Sequence, residues 1–431
     1  NLLNRNALDQ TARSILQKND RGGYTVPTDR LYPYQWNWDS AFVSLGFAGD
    51  DRARAWQELF LLVEGQWDDG MIPHIIFRQD DPDYFPGPSV WNTPAGKYPT
   101  GGISQPPVLT SVVTDLVDSG DETDLAYAKK LFDQLYRWHT WWHHARTPEG
   151  SSLIATVNPW ETGRDNCPDW DLGLDRMTAS TDLPPYTRRD TSHDDPSMRP
   201  SDAQYDKYLT IVMAGRAVDW DQKRLTNEGP FAMYCPGLIF ILHRADKDLK
   251  RLAHRIGKTA EADQLAAWIA ATEADLDRIW NPDFKAFCAR DVRSGAFADG
   301  FSNASPLCFY AHAGTQDQLL ATLDHVHRIS HKVGHLMPSW DPDHPAFESK
   351  RYWCGPLWPQ MNFLLWKGLV EHHQTYLAHR TQNDLARAIE ASGFWECFDP
   401  TDGSGCVGTD FSWTAALWLA WLSPSRKKAA A

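Results

Sequence analysis

The sequence has no Cys-x-x-Cys pair, no apolar run long enough to cross a bilayer, no sustained strand alternation, and fewer basic than acidic residues. Each absence closes off a class of function. The seven cysteines (Cys167, Cys235, Cys288, Cys308, Cys354, Cys397 and Cys406) are odd in number and scattered, which fits neither a zinc site nor a disulfide framework. No apolar h-region stands near the N-terminus, so the expected address is a reducing cytoplasm. The longest apolar runs, such as residues 416–422, fall far short of the ~20 residues that a bilayer demands, and no membrane partner is expected. A net charge of -14 repels polyanions and argues against nucleic acid, although a small anionic substrate stays possible if a local cluster of arginines inverts the field.

What the chain does have is tryptophan, 21 of them, in an otherwise ordinary globular composition of 42% hydrophobic and 23% charged residues. Indoles serve helix packing and also line sugar sites, because the apolar face of a pyranose stacks on an aromatic ring. Three- and four-residue spacing of apolar positions predicts helices over 8–17, 51–67, 107–116, 125–143, 205–217, 230–245, 249–256, 260–280 and 316–326. A further helix runs through Leu385 and Ile389 to Gly393, a C-cap candidate, and a last one starts near Ser412. Roughly a dozen helices with no linker between them predict one all-α toroid, a single domain over 1–431. Alternate loops of such a ring collect at one end, which would bring residues near 39, 165, 199, 352 and 396 into one pit.

The connections hold the chemistry. Tyr32, Tyr34, Trp36 and Trp38 alternate with polar residues ahead of a helix that Asp39 or Ser40 could cap, and form either a ligand-facing wall or a half-buried strand. His74 reads as a substrate contact or as a satisfied structural residue. Residues 80–107 make a long loop holding Trp91, Tyr98 and Gln105, and loops of that length are usually functional or disordered. Residues 158–171 set Glu161, Asp165, Asp169 and Asp171 among tryptophans, Gly, Asn and Pro. Residues 182–202 are too poor in apolar side chains to build core, so they lie in solvent or fold over a polar ligand. At their end Arg199 and Tyr205 could hold a carboxylate bidentately or merely sit in a surface ion pair. Residues 351–363 form a second aromatic wall, and residues 394–405 bring Glu396.

Cleavage of a glycoside with inversion needs a protonated acid for the leaving oxygen and an ionised base for water, about 6.5–9.5 Å apart. Asp165 and Glu396, in loops from different halves of the chain, meet that need, while Glu161, Asp169 and Asp171 remain rival acids. The stretches Tyr32 to Asp39, Asn158 to Asn166, Gly355 to Pro359 and Glu396 to Pro400 resemble, in this order and over nearly the whole chain, glycoside hydrolase family 63, most closely its bacterial mannosylglycerate and glucosylglycerate hydrolases. The resemblance implies an (α/α)6 barrel and an inverting mechanism with no metal or other cofactor. It implies Asp165 as general acid and Glu396 as general base, with a raised pKa at Asp165 expected from burial and from the facing Glu396. It further implies Tyr32, Trp36, Trp38, Asp39, Gln105, Trp160, Gly163 and Trp358 at the sugar, and Arg199, Tyr205 and Tyr352 at a glycerate carboxylate. The expected partner is thus a small anionic glycoside, with a homo-oligomer left open. The alternatives are an α-glucosidase or trehalase acting on a neutral sugar, and a toroid that binds or isomerises sugars without hydrolysis.

Overall fold

Helices of this chain alternate between two kinds of sequence. Asn37–Ala48 is buried along almost every position, whereas Arg52–Val63 buries only the face of Ala55, Trp56, Leu59, Leu62 and Val63 together with Glu58. The first kind can only sit inside a helical layer, the second only around it. In the computed structural model, which describes residues 2–29, 32–188, 190–191 and 195–426, that is what happens.

Among the described residues, twelve helices build the framework: α1 Leu2–Asn19, α2 Asn37–Ala48, α3 Arg52–Val63, α4 Leu109–Ser119, α5 Glu122–Ala145, α6 Pro236–Arg255, α7 Thr259–Asp275, α8 Cys308–Ala311, α9 Gln316–Ser330, α10 Pro359–Glu371, α11 Thr375–Ser392 and α12 Ser412–Leu417. The even-numbered helices contact one another in the cycle α12, α2, α4, α6, α8, α10 and back to α12, so they close a ring. Odd-numbered helices lie outside, α3 on α2, α7 on α6, α11 on α10 and α1 on α12. This is an (α/α)6 barrel, as expected. Indoles fill it: Trp38, Trp56, Trp138, Trp142, Trp358 and Trp418 are fully buried, and each such side chain stabilises the fold by about 1.5–3 kcal/mol.

The two ends of the barrel differ in their connections. At one end the links 49–51, 120–121, 256–258, 312–315 and 372–374 are two to four residues long. Such tight returns work because caps finish the helices locally: Asp51 accepts from Arg54 N, and Asp121 and Thr315 open reciprocal capping boxes with Asp124 and Gln318. At the other end run the long links 20–36, 64–108, 146–235, 276–307, 331–358 and 393–411. There the N-termini of the inner helices emerge.

Two-residue strands tie these long links together. β1 Gln35–Trp36 pairs with β2 Ile75–Ile76, β3 Ala155–Thr156 with β4 Met233–Tyr234, β4 with β5 Arg290–Asp291, and β6 Cys397–Phe398 with β7 Gly405–Cys406. A helix of 16 residues, Asp202–Ala217, stands inside the longest link.

Two expectations need correction. The separate helices predicted over 230–245 and 249–256 are one helix, α6. The polar step that divides them in sequence, residues 246–248, is satisfied by partners: Asp246 accepts from His139 Nδ1 and His143 Nε2 at 2.7 Å each, and Lys247 Nζ donates to Ala311 O at 2.9 Å. The helix predicted to reach residue 280 ends as α helix at Asp275 and continues only as a 3-10 turn, Leu276–Ile279.

Candidate active site

The long links enclose a pit lined by residues drawn from both halves of the chain. Asp39 and Trp38 reach it from the first turn of α2, and Trp413 from the first turn of α12. Trp38 and Trp413 occupy the same position in neighbouring inner helices and meet edge to face, with ring centroids 6.0 Å apart. Neither Asp39 nor Ser40 is the N-cap that their position before the helix predicts. Both already lie inside α2, and Gln105 Oε1 takes the cap's part by accepting from Trp38 N at 3.1 Å. That contact fixes Gln105 beside Asp39 on the wall.

Asp165 is aimed into the pit by its neighbours. Asn158 starts the loop by accepting from Trp160 N at 2.9 Å, and Gly163 turns the chain at φ 68°. Arg164, fully buried, points away and donates to Asp169 Oδ2 at 3.0 Å and Asn303 Oδ1 at 3.2 Å. Asn166 is held from both sides: its N–H donates to Tyr208 Oη, and its Nδ2 donates to Tyr352 O, each at 3.0 Å. With both flanking residues tied down, Asp165 is left to face the pit.

These contacts separate Asp165 from its rivals. Glu161 is fully buried in a bidentate pair with Arg146, at 2.8 and 2.9 Å. Asp169 is consumed by Arg164, and Asp171 opens a short helix, Asp171–Asp175, outside the pit lining. Glu396 reaches the same pit from the α11 to α12 link and is 1% exposed. Its backbone is pinned by Glu396 N donating to Gly408 O at 2.7 Å and by Trp413 Nε1 donating to Glu396 O at 3.2 Å.

Burial pushes the Asp165 carboxyl up to about 7, against the pull of the Arg199 guanidinium. The leading like-charge neighbour is Asp190, in place of the Glu396 that the sequence reading expects. Burial alone lifts Asp39 to about 8, and it holds His74 down at about 3, a neutral imidazole. His74 thus does line the pit, its ring 5.0 Å from that of Trp91.

Beyond the carboxyls, the wall carries a cationic corner. Arg199, 3% exposed, donates through Nη1 to Tyr32 Oη at 2.7 Å and lies over the Tyr352 ring at 4.4 Å. The two tyrosine hydroxyls are 3.3 Å apart. Tyr352 is drawn in by its N–H donating to Met198 O at 2.7 Å, which joins the 331–358 link to the segment before Arg199. Tyr205 lines the pit too, edge to face with Trp160 at 5.6 Å, its hydroxyl donating to Phe85 O at 3.3 Å. Arg188, which lies over the Tyr205 ring, is paired with Asp190 at 2.7 and 3.0 Å, so the 182–202 segment folds over the pit where it is described.

Of the residues expected at the site, Tyr32, Trp36, Trp38, Asp39, Gln105, Trp160, Gly163, Asp165, Arg199, Tyr205, Tyr352 and Glu396 all line the pit. Trp358 does not. It is fully buried as the residue before α10, its indole stacked on Trp353 with centroids 3.8 Å apart and planes 2° from parallel, and it supports the wall from behind Tyr352 and Trp413. Tyr84, Phe85, Pro86, Asp190, Phe411 and Trp413 also line the pit, without being expected there from the sequence. Only Trp413 carries a usable signal, an aromatic in the first turn of an inner helix, as at Trp38.

Gly163 is required twice. Its φ is left-handed, and a Cβ there would stand 2.5 Å from Cζ2 of Trp38. Gly163→Ala is therefore expected to cost at least ~1–2 kcal/mol of stability and to push the indole into the pit. A thermal melt and a KM measurement check it, with a lowered Tm and a raised KM the expected pair.

Comparison with known proteins agrees with the fold. Residues 32–414 match the family of the mannosylglycerate hydrolase MGH1-like glycoside hydrolase domain. The mannosylglycerate hydrolase MGH1 of Selaginella moellendorffii is 41% identical over 96% of this chain and 85% of its own length. The mannosylglycerate hydrolase of Thermus thermophilus is 39% identical over 95% of this chain and 99% of its own. A crystal structure of a glycoside hydrolase family 63 mannosylglycerate hydrolase from the same organism, in complex with Tris and D-glycerate, superposes with a TM-score of 0.91 at 39% identity, covering 96% of this chain and 99% of that one. The chain belongs to the mannosylglycerate hydrolase MGH1-like family of glycoside hydrolases.

Proposed function

We propose that the protein hydrolyses an α-linked mannosyl or glucosyl glycerate with inversion, Asp165 acting as general acid and Glu396 as general base within one catalytic domain. The observation that carries the substrate class is Arg199: a buried guanidinium braced by Tyr32 and Tyr352 on the wall that also holds the two carboxyls. A glycerate carboxylate matches the planar fork of a guanidinium, whereas a neutral disaccharide offers it no countercharge. The buried, free cysteines accord with a reducing, cytoplasmic address.

The chemistry follows from the protonation states. Asp165, with its pKa near 7, is protonated in a good fraction of molecules at neutral pH and gives its proton to the glycosidic oxygen as the bond to the anomeric carbon breaks. On the opposite face Glu396 takes a proton from water, whose oxygen bonds to that carbon. Glycerate and the inverted hexose leave, with Asp165 ionised and Glu396 protonated. Exchange with solvent restores the starting state.

The pH profile should be a bell. As pH rises through about 7, Asp165 loses the proton it must donate, and kcat/KM falls roughly tenfold per unit. On the acid side, protonation of Glu396 removes the base. A pH–rate series on the free enzyme measures both limbs.

Substrate class is tested by incubating the protein with α-mannosylglycerate, α-glucosylglycerate, trehalose and maltose. One or both glycerate glycosides should turn over about 10²-fold faster than the neutral sugars, because those bring no carboxylate to a site built around a buried cation. Equal or faster cleavage of trehalose or maltose would overturn the assignment.

A further inference from the structure

Glu161 lies four residues before the acid, yet its carboxylate points away from the pit into a buried junction. Arg146, the residue that closes α5, holds it bidentately. The remaining acceptor capacity of Glu161 is taken by two other segments. Ser104 N donates to Oε2 at 3.0 Å, and the Thr156 hydroxyl is shared between Glu161 Oε1 at 3.3 Å and Asn158 O, at the start of the acid loop, at 2.9 Å. Arg146 uses its other N–H groups on Gln222, whose Nε2 in turn donates to Gly102 O at 2.9 Å.

The junction therefore binds two pieces of the pit wall that are more than fifty residues apart in sequence. On one side is the acid loop. Glu161 lies in the 3-10 turn Pro159–Thr162, and Thr162 Oγ1 accepts from Arg164 N at 3.0 Å, one residue short of Asp165. On the other side is the sugar wall. Ser104 precedes Gln105, the acceptor for Trp38 N, and Ser104 Oγ donates at 2.6 Å to Ile72 O, a carbonyl that Asn37 Nδ2 also reaches. Breaking a bidentate pair this deeply buried would leave a charge uncompensated, so the joint has little freedom to slip.

We propose that Glu161 is the positioning residue for acid catalysis. Clamped by Arg146, it holds the Asp165 loop and the Gln105 segment as one rigid body, so that the carboxyl meets the glycosidic oxygen of a sugar seated against Trp38 and Asp39. This rests on Asp165 being the acid. It predicts a defect specific to proton donation, since a shift of about 1 Å in a catalytic group costs up to about 10²-fold in rate.

The leaving group separates this role from general damage. Fluoride departs from a glycosyl fluoride with little help from an acid, while glycerate needs the proton. Glu161→Gln and the near-isosteric Thr156→Val are assayed in the full chain on the glycerate glycoside and on the α-mannosyl and α-glucosyl fluorides, with Asp165→Asn in parallel. Glu161→Gln should lose tenfold or more in kcat on the glycoside, with KM and fluoride turnover each within about threefold of the parent. Thr156→Val, which removes the hydroxyl shared between Glu161 and Asn158 O, should show the same asymmetry more weakly; if Glu161→Gln does not fold, the absence of that asymmetry in Thr156→Val overturns the proposal. Equal losses on both substrate types, or no loss on either, would overturn the proposal. Asp165→Asn tests the underlying assignment separately: if it loses the fluorides as fully as the glycoside, Asp165 is not the acid, whatever the Glu161 variants do.

Discussion

Asp165→Asn and Glu396→Gln should each lower kcat/KM on the glycerate glycoside by about 10²–10⁴-fold, the range that a positioned acid or base contributes. Both replacements keep shape and remove only proton chemistry. The fold should survive them, and for Asp165 the sign of the stability change can be worked out. A carboxyl held near 7 in the folded state, above its ordinary value of 3.8, contributes stability that is fully present below the unfolded pKa and is lost as pH rises through the folded one. Above pH 7 the parent therefore carries a buried charge that asparagine lacks. Asp165→Asn should melt no lower than the parent at pH 8, and relatively higher there than at pH 5. Kinetics together with melts at the two pH values check this, and near-normal turnover in either variant would remove the acid and base assignments.

Arg199→Ala should raise KM for the glycerate glycoside by about 10²-fold, since charge-assisted hydrogen bonds to a carboxylate carry ~1.5–3 kcal/mol each. Arg199→Lys should recover only part, because an ammonium lacks the planar fork. A second consequence concerns the acid. Arg199 is the leading group that pulls the Asp165 carboxyl down, so its removal lets burial push that pKa higher and moves the alkaline limb of the profile upward. A variant with weaker binding and an unmoved alkaline limb would separate Arg199 from the acid. If residual cleavage of neutral α-glucosides falls as steeply as that of the glycerate glycoside, Arg199 is not reading the carboxylate.

The ring of helices was legible because its apolar positions recur with helical spacing, and because the chemistry-bearing loops are irregular, aromatic and acidic. Side-chain direction was less so. Trp358 sits in a stretch that matches the family and still turns behind the wall, since stacking on Trp353 satisfies a whole indole face without ligand. The choice between Glu161 and Asp165 was open in the sequence, because it depends on Arg146, a residue fifteen positions upstream that reaches Glu161 only once α5 has ended and β3 has formed. Tyr84, Phe85 and Pro86 belong to a long link whose route over the pit is set by partners such as Tyr205, more than a hundred residues away. Likewise α6 reads as two helices until His139 and His143 are seen to satisfy Asp246.

Inversion requires Asp165 and Glu396 to act from opposite faces of the sugar in a single displacement. Proton NMR of the hexose in the first minutes of cleavage of an α-linked glycerate glycoside, before mutarotation, tests it most directly. The β-anomer is expected as first product. Release of the α-anomer would mean retention through a covalent intermediate, and would contradict it.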